Sequence, residues 1–386
     1  MQSRTSNAAP LVGERFHNLV SSRVLTPFAW SGEKGERHYG YELGENMKAV
    51  EYLDRLRHAI KRVVKSQAPA WKEVRIGGRH WYAMSGESKL LWNALRDVDL
   101  ATKAWGRESE MHPYLSIGVR LARKWEPRLR WFTTRDSGLA INEEYPRRML
   151  RHIVRVIRRV CTARRFVRRV EQLERQQRDN FDSCCEYFLS ILRWHARPLV
   201  LRADLYVEGQ AKKAAGEGLI EQAVEKFIRN LREKRIIPDV LGYIIKREDA
   251  YDRGVHLHLM VMVDGDEHCK AYGLTEMLKM YWIYQCVGSP ELASGFNCYL
   301  RKDEYRYNAI GHVHYADENA LKGVRNAIGY LTKTDCHFLL PKSFGKNMRK
   351  GQPQPTRDGG KRRGAPRKFA NDISLAEGIL LGKVAG

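Results

Sequence analysis

Apolar residues change their spacing along this chain, and the changes divide it into stretches with different expected structure. Residues 1–45 show little periodicity and read as loop. In NMKAVEYLDRLRHAIKRVV, from residue 46 to about 65, apolar positions recur every three or four residues, which predicts an amphipathic helix. VRIGGRHWYAM predicts a hairpin turning at Gly77 and Gly78. Helices are expected near 87–102 and over 113–124. Pro146 then opens a long basic helix, PRRMLRHIVRVIRRVCTARRFVRRVEQLERQQRDNF, since proline suits a first helical turn. Leu150, Ile153, Val154, Ile157, Val160 and Cys161 form its apolar face, and Arg151, Arg155, Arg158 and Arg159 lie off that face.

After SCCEYFLSILRWHARP the period shortens. PLVLRADLYVEG, DVLGYIIKREDA and GVHLHLMVMVDG read as three strands, and YRYNAIGHVHYAD as a fourth. Between and after them, GLIEQAVEKFIRNLREKR, GLTEMLKMYWIYQCVG and ENALKGVRNAIGYLTKTD read as helices. The order strand, helix, strand, strand, helix, strand, helix predicts an α+β domain, an antiparallel sheet with helices on one face, preceded by a mainly helical N-terminal region. From Lys342 the pattern is lost. KSFGKNMRKGQPQPTRDGGKRRGAPRKF reads as an extended basic tail whose Arg362 and Arg363 can lie along phosphates. The expected organisation is therefore a helical, basic region over 1–165, the α+β domain over 166–341, and the tail over 342–386. No internal repeat is evident.

Charge narrows the partner. The chain carries 68 Lys and Arg against 45 Asp and Glu, a formal net charge of +23. Such an excess favours a polyanion, because each neutralised phosphate releases counterions, and it points to nucleic acid. Arg155, Arg158 and Arg159 then form a candidate phosphate-contacting surface, as an alternative to a merely solvated helix face. No run approaches the ~18 apolar residues of a membrane span. The N-terminus lacks the basic start and apolar core of a secretory signal. The seven cysteines are odd in number and form no CxxC, so reduced thiols and a cytoplasmic location are expected.

The chemistry centres on the strand 254–263. Residues i and i+2 of a strand share a face, so His256 and His258 project together while Val255, Leu257 and Leu259 point away. Two parallel imidazoles inside an apolar strand suit a metal ion better than a lone core histidine would. Glu248, at the end of the preceding strand, is the expected third ligand, brought alongside by a short hairpin over 250–253. Asp249 and Asp252 compete for that place and read better as turn residues. Two imidazoles and a carboxylate accept Mn²⁺ or Mg²⁺ holding a phosphate oxygen, with Zn²⁺ an alternative. On the last of these helices Leu321, Val324, Ile328 and Leu331 form the apolar stripe, and Asn326, Tyr330 and Lys333 share the opposite side. Tyr330 is a candidate nucleophile. Lys333, one turn on, can favour the phenolate or neutralise charge on a phosphate. Asp204 reads as structural, His268 as a surface residue, and His312 with His314 as a weaker repeat of the histidine spacing.

HxH on a strand followed by a helical Tyr-x-x-Lys resembles the HUH endonucleases. The longer pattern, RADLYV … YIIKREDAYDRGVHLHLMV … AIGYLTKTD … GKRRGAPR, is similar to the inovirus gene-II-type replication initiators and the related YagK/YfjJ C-terminal domain family. It covers about residues 197–367 and leaves 1–165 unplaced. The resemblance implies a site-specific nickase for rolling-circle replication in a bacterial host cell. His256, His258 and Glu248 would hold Mg²⁺ or Mn²⁺, Tyr330 would form a 5′-phosphotyrosine and free a 3′-OH, and Lys333 would assist. The implied partner is a single-stranded or supercoiled DNA origin. With no P-loop in the chain, a host helicase and a DNA polymerase are implied as well. Some relatives carry two tyrosines four residues apart. Here Thr334 and Asn326 flank Tyr330 at that spacing, which implies a single-tyrosine enzyme. Termination would then use a second protomer, water or another tyrosine. A transposase or relaxase of the same chemistry, and an origin-binding regulator without catalysis, are the alternative readings.

Overall fold

A computed structural model describes residues 25–31, 37–43, 45–96, 111–133, 144–207, 209–250, 254–333, 339, 346–353 and 371–382. Among the described residues, the N-terminal part holds two antiparallel strand pairs and four helices. β1 (Leu25–Ser31) pairs antiparallel with β2 (Arg37–Leu43), so part of the stretch expected to be loop is a strand pair. α1 (Glu45–Lys65) follows. β3 (Trp71–Ile76) and β4 (Arg79–Met84) then turn back through Gly77 and Gly78. Both glycines have positive φ, 57° and 75°, which is what a two-residue hairpin turn of this kind demands. α2 (Gly86–Arg96), α3 (Pro113–Thr133) and α4 (Glu144–Cys161) complete this part. Tyr52, Leu56, Ile60, Leu91, Leu115, Leu150, Ile153 and Ile157 meet in one buried core. These are the apolar stripes read from the helical spacing, now facing one another.

The long basic segment is two helices. The chain breaks at Thr162 and Ala163, and α5 (Arg164–Leu192) begins anew. Its first half is largely exposed, and its last turns, from Cys184 to Leu192, are buried beneath the main sheet.

That sheet is antiparallel. β10 (Met348–Lys350), β6 (Val240–Ala250), β7 (Gly254–Val263), β5 (Leu199–Val207) and β8 (Ala293–Asn297) lie side by side in this order, and the two-residue β9 (Gly311–His312) also pairs with β5. All nine residues of β5 are buried, which requires cover on both faces. On one face lie α6 (Gly209–Arg232), α7 (Ala271–Met280) and a π-helical turn (Tyr281–Val287). Phe227, Leu231, Leu278 and Trp282 there pack on Leu201, Leu205, Leu257 and Leu259. On the other face α5 and α8 (Glu318–Thr332), with α9 (Ser374–Leu381), bury Phe188, Leu321, Ile328 and Leu380 against Val200, Ile244, Met260 and Met262. The α+β class and the antiparallel sheet agree with expectation. Helices on one face do not: the even positions of β5 and β7 also need burial, and α5, α8 and α9 supply it. The segment after 342, expected to be an extended tail, contributes both β10 and α9. β8 was not anticipated, because ASGFN has Phe296 as its single strand-favouring residue.

No helix among the described residues is long and apolar enough to cross a membrane.

Candidate active site

The pairing of three strands places the polar side chains of the α5/α8 face in cross-strand rows. Tyr206, His256 and Glu248 are directly opposite one another on β5, β7 and β6. The next row is Asp204, His258 and Lys246. Since period 2 sends alternate residues to one face, both rows point toward α8. Asp249 is one position off and points away. Asp252 lies outside the described residues.

Three donors converge there. His256 Nε2 is 3.1 Å from His258 Nε2, and Glu248 Oε2 is 3.3 Å from that same nitrogen. Glu248, His256 and His258 form a group with the geometry to hold a metal ion. The ring is oriented from behind. Asp204 Oδ1 lies 2.6 Å from His258 Nδ1, so Nδ1 donates to Asp204 and Nε2 is the nitrogen turned toward Glu248, His256 and any ligand. Burial alone would raise the Glu248 carboxyl, but the hydrogen bond and charge of His258, with Lys333 and His256, hold it well below the usual range. Burial also works against charge on Asp204, yet His258, Arg202 and His256 hold its carboxyl down to about 2. Desolvation disfavours the His258 imidazolium, and the two facing carboxylates outweigh it and raise its pKa. A negatively charged pair of acids around two imidazoles suits a divalent cation.

α8 brings the tyrosine. Asp317 caps its start, accepting from the backbone N–H groups of Asn319 and Ala320 at 3.0 Å each. Its stripe of Leu321, Val324, Ile328 and Leu331 is buried on the sheet, as the spacing predicts. Tyr330, on the helix flank, is 37% exposed and places its hydroxyl 3.5 Å from His258 Nε2. The phenol is thus both open to solvent and against the ligand cluster. Lys333 Nζ stands 4.3 Å from the Tyr330 ring centre.

The structure thus brings together Glu248, His256, His258, Tyr330 and Lys333. Arg155 and Arg159 are exposed on α4, in the N-terminal part. Arg158 is committed elsewhere: its guanidinium donates to the carbonyls of Val63 (3.2 Å) and Ala68 (2.7 Å) and ties α4 to the end of α1. Two of its guanidinium nitrogens are thus used in packing the N-terminal part. Arg362 and Arg363 lie outside the described residues. His312 sits in β9, and His314 Nδ1 accepts from Ala316 N in a turn, so neither joins the site. Sequence reasoning undervalued Asp204 and passed over Arg202. The available signal was their i, i+2 spacing inside the otherwise apolar strand LVLRADLYV, the same spacing that marks the histidines.

Comparison of the chain with protein-family models, with curated proteins and with solved structures found no match.

Proposed function

We propose that this protein is a metal-dependent endonuclease that nicks and rejoins single-stranded DNA through Tyr330, acting as the replication initiator of a phage, prophage or plasmid-like element. The observation that carries the reading is the position of the Tyr330 hydroxyl, 3.5 Å from a ligand nitrogen of the Glu248–His256–His258 cluster. A nucleophile and a cation site so close together are what phosphodiester transfer requires. The excess of positive charge supports a nucleic-acid substrate.

Bound at this cluster, Mg²⁺ or Mn²⁺ supplies Lewis-acid polarisation of the scissile phosphate. The protein's own groups do the rest. Asp204 fixes His258 with its Nε2 toward the phosphate side. The Tyr330 oxygen attacks phosphorus and its proton leaves to solvent. The bond from phosphorus to the 3′ oxygen breaks, and that oxygen takes a proton from water to become a 3′-OH. The product is a 5′-phosphotyrosine. One phosphodiester has replaced another, so the reverse transfer onto a 3′-OH rejoins a strand without an external energy source. Lys333 opposes the negative charge that builds on the phosphate and phenolate.

The test is an incubation with Mn²⁺ and single-stranded DNA taken from the region flanking the gene, followed by denaturing gels. Wild-type protein should carry DNA through SDS. Tyr330→Phe should bind DNA within about two-fold of wild type and form no adduct, and excess EDTA should abolish the adduct of the wild type. Tight binding without any adduct in the wild type would favour a non-catalytic origin-binding protein instead.

A further inference from the structure

Beside Tyr330 a cavity of about 310 Å³ opens between α8, the 305–310 segment and β5, lined by Arg202, Tyr305, Tyr307, Asn326 and Tyr330 among others. Its size is at the small end of ligand cavities, ~300–1,000 Å³, and suits a single nucleotide. Gly323 lets the walls meet. A Cβ there would stand 2.5 Å from the Asn308 carbonyl, so only a glycine allows α8 to abut that segment.

Arg202 is the unexplained group. It is 91% buried by its 9% residual exposure, its Nε has no hydrogen-bond partner, and no carboxylate among the described residues forms an ion pair with it. Its near contact is the Tyr330 ring, 5.7 Å away, and the Asp204 carboxylate two residues on is hydrogen-bonded to His258. The Asp204 carboxylate offsets its charge, but a buried N–H without an acceptor is costly, and native proteins pair such groups. Arg202 lines the cavity, and its residual exposure there leaves the guanidinium able to take acceptors from a ligand.

Resting on the single-strand reading above, we infer that this cavity takes the base of one unpaired nucleotide flanking the scissile phosphate and reads guanine through Arg202. Guanine O6 and N7 present the acceptor pair that an arginine fork matches. Tyr305 and Tyr307 offer rings beside the base, and the Asn326 amide offers a further donor and acceptor. A backbone phosphate offers the same fork a different acceptor pair, and the experiment separates the two.

The experiment uses the full chain in EDTA, so no cleavage occurs, with fluorescein-labelled 15-mers of dT that carry a central dG, dA, abasic site or dT, read by fluorescence anisotropy. Wild type should bind the dG strand about five-fold or more tightly than the other three, the low end of what a bidentate arginine–guanine pair contributes. Arg202→Lys, which keeps the charge and loses the fork, should erase that preference. Asn326→Leu, which narrows the cavity from the exposed side of α8, should do so too, and it keeps the test open if Arg202→Lys fails to fold. Equal affinity of wild type for all four strands overturns the inference, as does a preference that survives in both variants. An equal loss on every strand in Arg202→Lys would place a backbone phosphate on Arg202 and overturn the base assignment. Because the readout is binding without metal, a base preference can stand where no adduct forms, and an adduct can form with no preference.

Discussion

At His258 each ring nitrogen has a separate task, and Asp204 decides which is which. The carboxylate accepts from Nδ1, and Nε2 is turned toward Glu248, His256 and any cation. Asp204→Asn keeps the shape and removes the charge. Outer partners of this kind typically contribute 10–100-fold to metal affinity. We therefore predict a Mn²⁺ affinity about 10–100-fold weaker in Asp204→Asn by calorimetric titration, with an unchanged far-UV spectrum; an unchanged affinity would remove Asp204 from the site. The histidines, Glu248 and Tyr330 were legible in the sequence because two short periods, 2 for strands and 3.6 for helices, put chemistry-bearing residues on definite faces. Asp204 and Arg202 carried the same period-2 signature. Their meaning depends on β5 lying next to β7, and strand adjacency is a long-range fact that local spacing does not encode. Arg158 shows the opposite error: a charge off the apolar stripe looks free until the neighbouring helix end, with its unsatisfied carbonyls, comes into contact with it.

Among the elements, α8 matters most, because its pose sets the distance from Tyr330 to the ligands. Asp317 anchors it through two backbone hydrogen bonds at its start. Asp317→Ala should cost about 1 kcal/mol of stability, the usual loss for a helix cap, measured by urea unfolding, and should slow adduct formation more than it weakens DNA binding. A loss of binding with unaltered adduct yield per bound strand would contradict that role. Where sequence reading failed on elements, the causes are physical. The break at Thr162 and Ala163 involves neither Gly nor Pro. Ala163 simply adopts an extended conformation, and the Thr162 hydroxyl bonds the Arg158 carbonyl. β10 and α9 are short and follow stretches rich in Gly, Pro and charge, so only packing against the sheet and α8 makes them regular. The exposed half of α5 is polar on nearly every side, the pattern of a helix that spans between two cores.

For the molecule as a whole, charge and pH act on different parts. With a net charge of +23, binding to single-stranded DNA should fall steeply with salt. Arg155 and Arg159 are exposed and take no part in the buried core. Replacing both with Gln should reduce the slope of log K against log salt by about 1.4, at about 0.7 per lost phosphate contact, with no change in Tm. An unaltered slope would show that this face of α4 does not touch DNA. The N-terminal core holds a different sensor. His112 is buried, its Nδ1 has no hydrogen-bond partner, and desolvation, then Arg57 and Lys61, lower its pKa to about 4. The unfolded chain binds this proton near the ordinary value of about 6.5, so between those two values the unfolded state binds more protons than the folded one. The stabilisation is complete above about pH 6.5 and is lost as the pH falls toward 4, up to about 3 kcal/mol. Thermal melts at pH 7.5 and 5.0 should show a smaller drop for His112→Leu than for wild type, and equal drops would contradict the assignment.

The central claim is that Tyr330 becomes covalently joined to DNA. The direct measurement is mass spectrometry of the wild-type adduct after nuclease and tryptic digestion. We predict a nucleotide mass on the tyrosine of the peptide NAIGYLTK, residues 326–333. An adduct carried on any other residue would contradict the account, however efficiently the protein cut DNA.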